Sequence, residues 1–125
     1  MDLWLGSGAM KGGQAEQIEG LFGGLGEVTV VNLLGAAGGP PPFAAVLACA
    51  LAPRASVGAH VQEQFCALVI VVEGRGLVTA GMASVRAGAG TVVPLPLGER
   101  FAIENESADA PLRYLIVKTT PPPAV

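Results

Sequence analysis

The side chains able to do chemistry in this 125-residue chain are few: one histidine, His60, two cysteines, Cys49 and Cys66, and one tyrosine, Tyr114. An imidazole can ligate a metal, act as a general base, or anchor a small ligand as a neutral polar group. A base needs a partner to orient it, and the only aspartates, Asp2 and Asp109, fall outside the predicted strands. The cysteines lie inside the apolar runs VLACAL and QFCALVIVV, with no CxxC and no Cys/His spacing suited to zinc. Both are read as buried, reduced thiols.

The elements that must position these groups are short. From Glu27 onward the sequence is a series of apolar, β-branched runs punctuated by Gly and Pro: EVTVVNLL, FAAVLACAL, QFCALVIVV, GLVTA, ASVRA, GTVVPL, RFAIEN and LRYLIVK. So many strands in so short a chain predict an all-β antiparallel sandwich or small barrel. Phe101 and Ile103 share one face of their strand, and Ala67, Val69 and Val71 share one face of theirs. These residues predict a lumen lined largely by carbon. Residues 1–26 are expected to form an N-terminal arm, in which Ile18, Leu21 and Phe22 at i, i+3, i+4 predict a short helix around Gln14 to Phe22. Residues 27–118 are expected to form the barrel, and residues 119–125, with three successive prolines, an extended tail.

Composition narrows the class. Hydrophobic residues make up 51% and charged residues 14%, with a net charge of −3 and a mean hydropathy of +0.56, which excludes a mainly disordered chain. Five Arg and two Lys are scattered singly, leaving no basic stripe for nucleic acid. The apolar runs are broken before the ~18 residues of a spanning helix, and no basic segment precedes an apolar one at the N-terminus, so no membrane partner and a cytoplasmic location are expected. Phe43 to Leu51 and Phe65 to Val72 are apolar on both faces, which predicts cover from a second copy in a homodimer.

The stretches RASVGAHVQEQFCALVIVVEGRG and GTVVPLPLGERFAIEN together resemble the cupin family. That family carries two motifs, G-x5-H-x-H-x3,4-E-x6-G and G-x5-P-x-G-x2-H-x3-N. In the first, His60 and Gly74 match, while Arg54, Gln62 and Ala67 stand at the opening Gly, the second His and the Glu. In the second, Gly90, Pro96, Gly98 and Asn105 match and Phe101 replaces the His. The resemblance implies a double-stranded β-helix, a jelly-roll-like cupin barrel, in a small single-domain cupin whose metal site is degenerate.

In the family, three His and one Glu converge on a divalent transition metal. Here only His60, with Gln62 as a weak neutral donor, could contribute, so no metal cofactor is expected. The reading that follows is a barrel binding a small molecule in an apolar lumen, with His60, Gln62, Phe101, Ala67, Ile103 and Tyr114 as contacts. The alternatives are a metal-dependent oxygenase or isomerase with a reduced ligand set around His60, and a metal-free isomerase. The latter would use His60 as base and Tyr114 as acid, as in some cupin-like sugar epimerases. A filled barrel serving only as a structural or interaction domain has the same apolar pattern.

Overall fold

The computed structural model describes residues 13–122, among which ten strands form two antiparallel sheets. The strands are β1 (Glu16–Glu19), β2 (Glu27–Asn32), β3 (Phe43–Leu51), β4 (Ser56–Val61), β5 (Cys66–Glu73), β6 (Arg75–Ala80), β7 (Ala83–Gly88), β8 (Val92–Leu95), β9 (Arg100–Asn105) and β10 (Leu112–Thr119). One sheet runs β1-β2-β3-β10-β5-β8 and the other β4-β9-β6-β7. The chain changes sheet between β5 and β6 at Gly74, whose φ of 96° suits glycine. This is the two-sheet architecture expected of an all-β cupin barrel.

The alternation of side chains along each strand builds the core. Leu112, Tyr114 and Ile116 of β10 point inward beside Val69 and Val71 of β5, and meet Phe101 and Ile103 of β9 from the opposite sheet. Each large apolar side chain so buried contributes about 1.5–3 kcal/mol. The other face of β5 is not sealed: Leu68 is exposed, and Cys66, Ile70 and Val72 are half-buried.

The helix expected around Gln14 to Phe22 is not formed. Glu16–Glu19 pairs instead with β2, Ile18 opposite Val28, and only Leu21–Gly23 makes a single 3-10 turn. Helix nucleation is unfavourable over so few residues, and Gly20, with φ 65°, breaks the run between Ile18 and Leu21. The arm is thus partly a strand of the larger sheet. At the other end β10 extends to Thr119, and the Thr120 amide donates to the Pro42 carbonyl. Residues 1–12, with Asp2, and 123–125 of the tail lie outside the described residues.

The second motif's asparagine has a visible purpose. Asn105 is 1% exposed, and its Nδ2 donates to the carbonyls of Leu51 (3.1 Å), Ala52 (3.1 Å) and Ala110 (2.8 Å). Two hydrogens serve three acceptors, so one bond is shared. Its Oδ1 accepts from the Ser107 amide at 2.9 Å. One side chain therefore ties the end of β9 to the end of β3 and to the loop before β10. Asn105→Leu should lower the unfolding free energy by about 2–4 kcal/mol, because it leaves buried carbonyls without a donor. Urea denaturation followed by circular dichroism checks this, and a loss below about 0.5 kcal/mol would contradict it.

Candidate functional site

His60 sits on β4 opposite Phe101 of β9. Its Nδ1 lies 2.9 Å from the Gly58 carbonyl, which can only accept, so Nδ1–H donates and the neutral ring keeps its lone pair on Nε2. Two aromatic rings pack around it. Phe22 stacks on it at 3.8 Å between centroids and 13° between planes, and Phe101 meets it edge-on at 5.5 Å and 77°.

Phe22 reaches this position because the 3-10 turn crosses directly over β4. A Cβ on Gly58 would overlap the Phe22 carbonyl, and one on Gly24 would overlap the Ser56 carbonyl, so the two backbones meet where both lack side chains. The crossing is pinned by Ser56, whose amide donates to the Leu25 carbonyl at 2.7 Å and whose Oγ accepts from the Leu25 amide at 3.0 Å. Phe22 itself has φ 52°, a left-handed conformation costly for a bulky residue. The surrounding contacts offset that strain and hold a 56% exposed ring over the imidazole.

Beneath this ring a cavity of about 210 Å³ opens between the sheets. Its walls are mostly apolar, with Val28, Val30, Leu47 and Ile116 on one side and Ile18 and Leu21 from the arm. Five polar side chains reach it: Cys49, His60, Gln62, Tyr114 and Lys118. Gln62 is 6% exposed. Its backbone is held on both sides, the amide donating to the Glu99 carbonyl at 3.1 Å and the carbonyl accepting from Gly98 at 2.6 Å. Gly98 takes φ 85°, so the motif's Pro96-Leu97-Gly98 turn, leading into the neighbouring strand β9, fixes Gln62 from beside it. The Gln62 carboxamide makes no hydrogen bond to any described residue.

Burial sets the protonation of the next two groups. Cys49 lies opposite Tyr114 in the β3–β10 pairing. Its thiol is pushed up to about 12, because burial outweighs the lowering effects of Tyr114 and Lys118. The Tyr114 phenol is raised well above its usual value, first by burial and then by Cys49. Tyr114 is therefore a fixed O–H donor and a poor proton source for acid catalysis. Burial lowers the Lys118 ammonium, an effect that Cys49 partly opposes.

The residues at the family's ligand positions do not fit a transition metal. Ala67 has no donor atom, Phe101 places a ring where a third imidazole would stand, and the His60 Nδ1 is engaged by its own strand. Among the described residues no three His, Cys, Asp or Glu side chains gather within reach of one ion. Two donors, one of them a neutral amide, fall short of the three or four such an ion needs.

Of the contacts expected from sequence, His60, Gln62, Phe101 and Tyr114 line the one cavity. Ala67 and Ile103 do not. Ala67 borders a separate apolar depression with Phe43, Leu68 and Pro94, and Ile103 is packed at 1% exposure in the core next to β4 and β6. Asp109 is taken up by Ser107 in the loop before β10, where the Ser107 Oγ donates to it at 3.0 Å, so no carboxylate orients His60 from there. Cys49, Lys118 and the Phe22 ring were not foreseen as cavity residues. Lys118 is legible in retrospect, since Leu112, Tyr114, Ile116 and Lys118 share the inward face of β10.

The family description "Cupin domain" matches residues 48–118, from β3 to the penultimate residue of β10. Among solved structures, a predicted oxalate decarboxylase from Thermotoga maritima is 26% identical, with a TM-score of 0.80 over 90% of this chain and 96% of that one. A Cupin 2 conserved barrel domain protein from Salinispora arenicola is 30% identical, with a TM-score of 0.54 over 62% of each chain. A cupin domain from Schizosaccharomyces pombe, 15% identical with a TM-score of 0.68 over 85% of this chain and 69% of that one, shares the fold. No curated protein matches the chain.

Because His60 is the only histidine, its acylation by diethyl pyrocarbonate reports this site alone. Phe22→Gly removes the stacked ring and suits the left-handed backbone, and should raise the acylation rate severalfold in a protein that stays folded. An unchanged rate would mean that Phe22 does not cover the imidazole in solution.

Proposed function

The chain belongs to the cupin family, and we propose that this member binds a small organic molecule in the cavity between its sheets, without a metal, through the Gln62 carboxamide and the His60 Nε2. The observation that carries this reading is the Gln62 side chain, nine-tenths buried at the cavity wall with no partner among the described residues. Its amide atoms are not sealed from solvent, so they can exchange water for a ligand's polar group. The apolar walls supply affinity, and the few polar groups supply orientation.

Size limits the occupant. A cavity of ~150 Å³ accommodates a benzene ring. About 210 Å³ leaves room for one ring or a short branched chain bearing one polar substituent. The lone pair on Nε2 accepts an O–H or N–H, while the carboxamide of Gln62 can both donate and accept. These groups supply hydrogen-bonding recognition of a ligand, and the reading is one of binding.

The test is a screen of ring-sized and short-chain fragments against the full protein by NMR, with the His60 imidazole and the Gln62 side-chain amide as reporters. Fragments that shift both resonances should bind at least tenfold more weakly to Gln62→Leu, and dialysis against EDTA should leave their affinity unchanged. If no fragment moves either resonance, the cavity is not a binding site. Affinity abolished by EDTA would return a metal to the account.

A further inference from the structure

We propose that the molecule this cavity takes is a small monocarboxylate, its acid group paired with the Lys118 ammonium and its apolar body filling the space beneath Phe22. This deepens the binding reading above and rests on it. Lys118 follows Tyr114 and Ile116 on the inward face of β10, where the register sets it opposite Ala45 of β3 and Ala67 of β5. Neither neighbour carries a polar atom on its side chain, and the ammonium has no ion-pair partner among the described residues. Among the described residues no Asp or Glu lines the cavity. A half-buried cation is thus turned toward a largely apolar space with nothing of opposite charge beside it.

The remaining polar groups suit the same ligand. A carboxylate has only acceptor oxygens, and the wall provides N–H donors at Gln62. One ammonium balances one negative charge, so a monoanion suits the single Lys or Arg among the described lining residues, whereas a phosphate dianion would bring a second charge that no described Lys or Arg there meets. Burial pulls the unoccupied Lys118 toward its neutral form, and a bound carboxylate would hold it charged.

The experiment compares acids with their neutral isosteres on the full-length protein at constant ionic strength. Benzoate is set against benzamide, and phenylacetate against phenylacetamide, by calorimetry and by NMR of the His60 and Gln62 reporters. Each acid should bind at least tenfold more tightly than its amide. Lys118→Met should abolish that preference, and Lys118→Arg, which keeps the charge, should retain it. Circular dichroism establishes that both variants are folded. Equal binding of acid and amide, or a preference that survives Lys118→Met, would overturn the carboxylate assignment while leaving the cavity as a site for neutral ligands. Failure of both acids and amides to move either reporter would overturn the assignment together with the binding reading beneath it.

Discussion

Two sheets that close over an apolar interior still contain backbone and side-chain polar atoms, and each must find a partner inside or carry a penalty. Asn105 meets this demand for the scaffold. By donating to the Leu51, Ala52 and Ala110 carbonyls it fastens β9 to the end of β3 and to the loop that leads into β10. Once β9 is held there, Phe101 falls opposite His60 and β4 is set in register. The cavity is a consequence of that register. Gln62, with its backbone fixed by Gly98 and Glu99, presents at the cavity wall a carboxamide that bonds to no described residue.

The covering of the site depends on a second constraint, the close passage of the 3-10 turn over β4. Contact there requires glycine on both sides, Gly24 and Gly58, and the chain keeps Phe22 in a strained left-handed backbone to place its ring on the imidazole. Phe22 is exposed on its outer side and stacks on the imidazole with its inner face.

Much of the scaffold was legible in the sequence because its signals are local. Pro96 and Gly98 mark the turn before β9, and period-two alternation placed Phe101 and Ile103 on one face before their surroundings were known. The strand carrying His60 was not among the predicted runs, since Ser56–Val61 includes Gly58 and has little β-branched character. Its extended form comes from pairing with β9. The failed helix at Gln14 to Phe22 has a similar cause: an i, i+3, i+4 pattern arose by chance in a segment whose Ile18 packs as a strand residue against the core. Ala67 and Ile103 share inward faces with cavity residues but lie at other levels of the barrel, a distinction that depends on cross-strand register. Lys118 was hidden by being a charge at the end of an apolar strand, where a solvated side chain is the usual outcome.

A metal centre would have explained a buried polar cluster in a cupin barrel, but the donors for one are not assembled here. Asn105 is bonded within the fold whereas the Gln62 carboxamide bonds to no described residue, and the stability of ligand-free Gln62→Leu in urea measures that difference. If the carboxamide has no partner in the free protein, a leucine of similar size should leave the unfolding free energy unchanged or raise it by about 1 kcal/mol. A loss of about 2 kcal/mol or more would show that Gln62 is held by the protein itself, and would contradict the account.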